Sequence, residues 1–142
     1  MQTYLIINGP NLNLLGQREA VYGSVSLDEI QERTNNLLKE KVKLEWFQSN
    51  DEALIVQKIQ QLASTSFQGL IINPGAYSHS SIAIRDALAT LSIPVAEVHL
   101  SQLYQREDFR QRMLTASACS IIMSGLKEHS YYHAALALLS LK

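Results

Sequence analysis

Cysteine is nearly absent from the sequence: Cys119 is the only one, and it lies in an apolar run, Cys119-Ser120-Ile121-Ile122-Met123. A lone thiol excludes an internal disulfide framework and reads as a small core residue in a reducing compartment. There is no CxxC pair and no His-Glu cluster with metal-ligand spacing. An excess of one charge is also lacking. The formal net charge is −1, so neither nucleic acid nor an anionic membrane surface is indicated as a partner. No apolar run approaches the ~20 residues of a membrane span, and no basic segment precedes an apolar one at the N-terminus. The expectation is a cytoplasmic protein. Phosphate cradles are missing too, because no GxxxxGK[ST] or GxGxxG follows a candidate strand. With no repeat, low-complexity segment or linker, residues 1–142 read as one domain around one core.

What is present is alternation. Apolar runs predict strands at Tyr4 to Asn8, Lys43 to Gln48, Gly69 to Asn73, Pro94 to Leu100 and Ala118 to Met123. Between them lie helical patterns. Ser26 and Glu29 form a capping box for a helix to about Lys39, with Leu27, Ile30, Leu37 and Leu38 near one face. Ser49 and Glu52 offer another, opening a helix to about Ser64 through Leu54, Ile55, Ile59 and Leu62. Further helices are expected at Ser81 to Leu91, as a short piece at Arg106 to Met113, and at His129 to Leu141. Strands alternating with helices give a parallel sheet covered on both faces. With right-handed crossovers the expected order is 2-1-3-4-5, a flavodoxin-like α/β three-layer sandwich. Lys43 to Gln48 is half polar and suits a sheet edge.

Such sheets bind ligands beyond the carboxyl ends of their strands, where the order reverses. The loop after the first strand is far longer than the two to six residues such a connection needs. It carries Asn11, Asn13, Arg18, Glu19 and Tyr22. After the third strand come Asn73, Tyr77, His79, Ser80 and Ser81. The end of the fourth brings Glu97, His99 and Ser101, followed by Arg106 and Arg110. Either histidine alone is more readily structural than chemical, and Tyr22 beside Gly23 is equally a turn tyrosine. Their convergence with arginine and asparagine at one edge points to a site. His129 and His133, four apart, lack a third ligand nearby and suit a solvated helix face or a subunit contact. The lysines fall outside the three loops, which leaves Schiff-base chemistry without a candidate. Acid–base chemistry on a small polar molecule remains. A tyrosine titrates near pH ~10 unless a cation favours its phenolate, and Arg18 lies four residues from Tyr22. His99 can donate a proton, and Glu97, two residues away on the same strand face, can orient its ring.

The segments Asn8 to Gly16 (NGPNLNLLG), Phe47 to Asn50 (FQSN), Ile72 to Leu88 (INPGAYSHSSIAIRDAL), Ile93 to Ser101 (IPVAEVHLS) and Arg106 to Arg110 (REDFR) run in order through the chain. Together they resemble type II 3-dehydroquinate dehydratase. The resemblance implies a hydro-lyase with a flavodoxin-like fold that uses no metal or cofactor. Its substrate is 3-dehydroquinate, converted to 3-dehydroshikimate by anti elimination through an enolate, in the shikimate pathway to aromatic amino acids or in quinate breakdown. Carried over, Tyr22 is the base, His99 the acid, Arg18 the activator of the tyrosine, and Asn11 the holder of a water at the enolate oxygen. Asn73, His79, Leu100, Ser101 and Arg110 grip the substrate, and Asp86 reaches a neighbouring subunit's site. The family assembles as trimers stacked into a homododecamer. The first loop is then a lid. In this chain the lid reads Arg18-Glu19-Ala20-Val21-Tyr22-Gly23, one residue shorter than the family's pattern and without its proline. Gln102 follows Ser101 where the family has asparagine, and the segment Gly125 to Tyr131 also departs. A non-catalytic homologue binding a quinate-like ligand is the alternative.

Overall fold

Successive residues of a strand face opposite sides, and in the central strands both sides are apolar. The computed structural model describes residues 1–141. Strands β1 (Gln2–Asn8), β2 (Val42–Gln48), β3 (Gly69–Asn73), β4 (Val95–His99) and β5 (Ile121–Ser124) form one parallel sheet of order 2-1-3-4-5. This is the flavodoxin-like order expected from the sequence. Tyr4, Ile6, Ile71, Ala96 and Val98 face one layer, where they pack with Leu27, Ile30 and Leu38 of α1 (Leu27–Leu38) and Tyr131, Ala134 and Leu138 of α4 (Ser130–Ser140). Leu5, Ile7, Leu70, Ile72 and Val95 face the other, against Ile55 and Ile59 of α2 (Glu52–Gln61) and Ile84 and Leu88 of α3 (Ile82–Ala89). β2 pairs only with β1, and its alternating exposure is that of an edge strand.

Several boundaries differ from the sequence reading. Ser26 does cap α1, accepting from the Glu29 amide at 3.2 Å. At α2 the cap is Asp51, whose carboxylate accepts from the amides of Ala53 and Leu54. Ser49 lies too far ahead of the first turn and instead accepts from the Asp51 amide. Leu37 and Leu54 are exposed. The expected helix at Arg106 to Met113 holds a single 3-10 turn, Asp108–Arg110; another, Leu103–Gln105, precedes it across an extended Arg106. The Gln111 side-chain Nε2 holds this shape by donating to the Leu103 carbonyl at 2.7 Å. Residues Ala116–Ala118 also form a 3-10 turn, so β5 starts later than expected.

The reversal lies between β1 and β3, where Asn8 and Asn73 are register partners. A tyrosine from α4 ties the two ends together. The Tyr131 hydroxyl donates to Asn8 Oδ1 and accepts from Asn73 Nδ2 at 3.2 Å. The chain leaves β1 at Gly9, where a Cβ would come within 2.4 Å of the Pro74 carbonyl oxygen. Only glycine lets the first and third loops approach this closely.

Candidate active site

The ends of β1, β3 and β4 open onto a cavity of about 120 Å³. Its lining includes Asn11, Arg18 and Tyr22 from the first loop, Asn73 and His79 from the third, and His99, Leu100, Ser101, Arg106 and Arg110 from the fourth. Of the residues to which the resemblance gives a catalytic or substrate-binding role, together with Glu97, all but Glu97 and Asp86 therefore line one space.

The β4 side is buried. His99 and Ser101 are 5% and 4% exposed, and Glu97 has no exposure. Glu97 and His99 share a strand face because they are two residues apart. His99 Nε2 lies 2.7 Å from Glu97 Oε2. An ionised carboxylate only accepts hydrogen bonds, so Nε2 carries the proton and Nδ1 is the ring's other face. The second carboxylate oxygen accepts from the Thr115 hydroxyl and lies 3.7 Å from the Cys119 thiol. Burial, and then the charge of Glu97, push the Cys119 thiol far up, so it stays neutral.

His79 follows β3 on a 3-10 turn, Gly75–His79, and its ring stacks 6.2 Å from that of His99. Its Nδ1 meets the Arg112 carbonyl at 2.9 Å, which makes Nδ1 the donor and leaves Nε2 an acceptor. Burial lowers its pKa, with the charges of His99 and Arg110 acting in the same sense, against the bond to Arg112 and the charge of Glu97. His79 is thus a neutral acceptor suited to a substrate hydroxyl.

The first loop folds into two 3-10 turns, Leu12–Leu14 and Ala20–Tyr22. Asn11 adopts a left-handed conformation (φ 68°), and its amide donates to Asn50 Oδ1 at 3.0 Å. Arg18 lies over the face of the Tyr22 ring, its guanidinium carbon 4.0 Å from the centroid. The Tyr22 hydroxyl is held by a different arginine. Arg106 Nη2 donates to it at 3.0 Å, and Arg106 Nη1 donates to the Ser101 hydroxyl at 2.9 Å. One guanidinium thus bridges the lid and the β4 end. Burial works against the charge of Arg106, but its bonds to Tyr22 and Glu107 outweigh this and raise its pKa. Glu107 Oε1 accepts from both Arg106 and Arg110, at 3.2 and 3.1 Å. A tyrosine gripped by two cations facing a carboxylate-backed histidine is an arrangement for moving protons.

A model of the family "Dehydroquinase class II" matches residues 2–139. The chain belongs to that family. It is 45% identical to the 3-dehydroquinate dehydratase of Aliarcobacter butzleri, over 96% of this chain and 84% of that protein. It is 47% identical to the 3-dehydroquinate dehydratase of Endomicrobium trichonymphae, over 99% of both. The crystal structure of type II dehydroquinase from Butyrivibrio crossotus superposes with a TM-score of 0.94 at 41% identity, covering 97% of each chain. That from Propionibacterium acnes gives 0.91 at 35% identity, over 99% of this chain and 96% of the other.

Within this dehydroquinase-family chain one feature of the site differs from the sequence reading. Arg18 contacts the ring of Tyr22 rather than its oxygen, since Arg106 already occupies the hydroxyl. Asp86 pairs with Arg85 Nη1 at 3.0 Å and lies outside the cavity of its own chain. Arg106 is the residue the sequence reading placed nearby without a role. Its signal was the Arg106-Glu107…Arg110 spacing, in which one carboxylate serves two guanidinium groups. Other loop residues prove structural: the Tyr77 hydroxyl donates to the Asn50 carbonyl, and Ser81 caps α3. His133 is exposed against Tyr132, and the described residues hold no group of three or more His, Cys, Asp or Glu side chains placed for a metal.

Proposed function

We propose that this chain is a 3-dehydroquinate dehydratase, a hydro-lyase converting 3-dehydroquinate to 3-dehydroshikimate by anti elimination through an enolate. The observation that carries the reading is that Tyr22, contacted by Arg106 and Arg18, and His99, backed by Glu97, line one small cavity. Tyr22 as phenolate takes the C2 proton. The guanidinium N–H of Arg106 aimed at its oxygen favours that oxyanion, and Arg18 over the ring adds positive charge. The electron pair moves to the carbonyl, giving an enolate oxygen that a water held by Asn11 would stabilise. His99 then protonates the C1 hydroxyl, which leaves as water, while Glu97 supports the ring through Nε2. Asn73, His79, Arg110, Ser101 and the backbone at Leu100 bind the hydroxyls and carboxylate. These side chains supply both acid and base, so the steps call on no cofactor.

The shortened lid does not favour the binding-module alternative, because Arg18 reaches the Tyr22 ring despite the missing residue. The pathway served is the shikimate route to aromatic amino acids or quinate breakdown, in the cytoplasm. Among the described residues no helix is long and apolar enough to cross a membrane. The assembly we expect is a dodecamer of trimers, with Asp86 entering a neighbour's site. Ile82, 64% exposed beside Asp86 at the start of α3, supports a buried contact there. Light scattering should give twelve times the 15.9 kDa chain mass. Activity is tested by following the ultraviolet absorbance of the enone formed from 3-dehydroquinate. Purified protein that forms no enone at any pH from roughly 6 to 9, a span on both sides of neutrality where acid–base enzymes are assayed, would overturn the reading.

A further inference from the structure

The role given to Glu97 explains only one of its oxygens. Oε2 faces His99, but Oε1 points away from the cavity and still has to be satisfied. An ionised carboxylate without solvent is strongly unfavourable unless donors replace the lost water. Two side chains reach Oε1: the Thr115 hydroxyl, and the Cys119 thiol at 3.7 Å, which is a weak donor. Thr115 is itself without exposure. It sits just before the Ala116–Ala118 turn, and the preceding Leu114 amide donates to the Ser78 carbonyl at 2.7 Å. The segment carrying Thr115 is thereby pinned to the turn that carries His79.

We propose that Thr115 is a positioning residue of the dehydratase, whose hydroxyl donates to Glu97 Oε1 and fixes the carboxylate so that Oε2 receives the His99 Nε2 proton. The chain of contacts runs Thr115 hydroxyl, Glu97 carboxylate, His99 imidazole, substrate hydroxyl. Each link sets the rotamer and tautomer of the next, and Nδ1 of His99 is left to face the substrate. The inference rests on His99 being the acid. The titratable and charged groups around the pair are Cys119 on the Oε1 side, and His79 and Arg110 on the cavity side.

Thr115→Val tests this, because it keeps the shape and removes only the donor. A hydrogen bond to a charged group is worth about ten- to a hundredfold in an equilibrium, so kcat should fall by that factor while KM stays within about twofold. Thr115→Ser should restore most of the loss. The alkaline limb of the kcat–pH profile should shift as well, because Oε1 loses its donor and the carboxylate facing the His99 ring changes its hydrogen bonding. Cys119→Ala, which removes the weaker donor, should change kcat by no more than about twofold. A hydroxyl with a merely structural role would lower the melting temperature and leave the pH limb unmoved. Thr115→Val with wild-type kcat and pH profile, in a protein where His99→Ala is inactive, overturns the proposal alone. Unchanged turnover in His99→Ala overturns the acid assignment and takes the proposal with it. If Thr115→Val does not fold, the wild-type protein still decides by proton NMR. A Thr115 hydroxyl proton protected from solvent exchange supports the proposal, and one exchanging as fast as surface hydroxyls overturns it.

Discussion

The two halves of the site are built in opposite ways. On the β4 side the functional groups follow a strand paired on both edges, and Glu97, His99, Ser101 and Thr115 are all buried. On the lid side Asn11, Glu19, Ala20 and Val21 are exposed, and the segment is fastened by a few side chains. Leu12 and Leu15, each 3% exposed, and the Tyr22 ring, 9% exposed, insert into the layer beneath α1 and α4. At its far end Gly23, with φ +87°, rests against the turn Lys127–His129, where an added Cβ would meet Glu128 at 3.0 Å. The difference teaches where preorganisation lies. In the proposed mechanism the acid His99 is set by the sheet, while the base Tyr22 rides on a largely exposed segment fastened by a few side chains. Arg106 couples the halves, with one hand on Ser101 and the other on Tyr22.

Removing the base should produce the largest effect. Tyr22→Phe keeps the ring under Arg18 and in the core but cannot form a phenolate. Losing a general base typically lowers rates about 10²–10⁴-fold, with melting temperature almost unchanged. A steady-state kcat within about threefold of wild type would remove Tyr22 from that role. Cutting the coupling between the halves comes next. Arg106→Met should lower kcat/KM by about 10–10²-fold, the worth of a hydrogen bond to a charged group. Arg106→Lys should recover little, because one ammonium cannot serve Tyr22 and Ser101 in the fork geometry. If lysine restores full activity, the bridge is not what matters and simple positive charge suffices.

The same contrast sets what the sequence made legible. The sheet order, the buried central strands and the Glu97–His99 pairing all follow from periodicities of two and 3.6, which act over a few neighbouring residues. The segment Arg106 to Met113 was not legible in this way. Its shape depends on Gln111 reaching back to the Leu103 carbonyl, and on Arg106 turning toward a tyrosine distant in the chain. Thr115 gave no sign either, since a threonine before an alanine-rich stretch carries no period and gains its meaning only from the carboxylate opposite. Asp51 displaced Ser49 as a cap because it stands immediately before the helix and brings a charge to the helix N-terminus.

Lid spacing should matter less than either substitution. Inserting proline between Glu19 and Ala20 lengthens the chain by ~3.5 Å when extended, but that stretch is exposed and able to bulge outward. Turnover is expected to stay equal or to rise, by no more than about threefold. A loss beyond tenfold in the enone assay would show that the stacking of Arg18 on Tyr22 depends on the native length, and that the lid is as exacting as β4.

The smallest expected effect concerns pH and the stability of the empty protein. Burial, aided by the charges of His99 and Arg110, lowers the His79 pKa below its ordinary value of ~6.5. The folded chain therefore binds fewer protons at this position than the unfolded chain. Stability from His79 is complete above pH ~6.5 and declines as pH falls from there toward the folded pKa. His79→Asn removes the titration but keeps an N–H where Nδ1 donates to the Arg112 carbonyl. Melting temperature measured from pH 7.5 down to 5.5, spanning the ordinary histidine range of roughly 6.5, should fall less steeply in the variant than in the wild type. Because only the difference between the two slopes is read, the other titrating groups cancel. Parallel slopes would mean that His79 is free to take a proton in the folded protein. The bond to Arg112 would then not be fixing its tautomer, and the turn after β3 would be less firmly set than the β4 side.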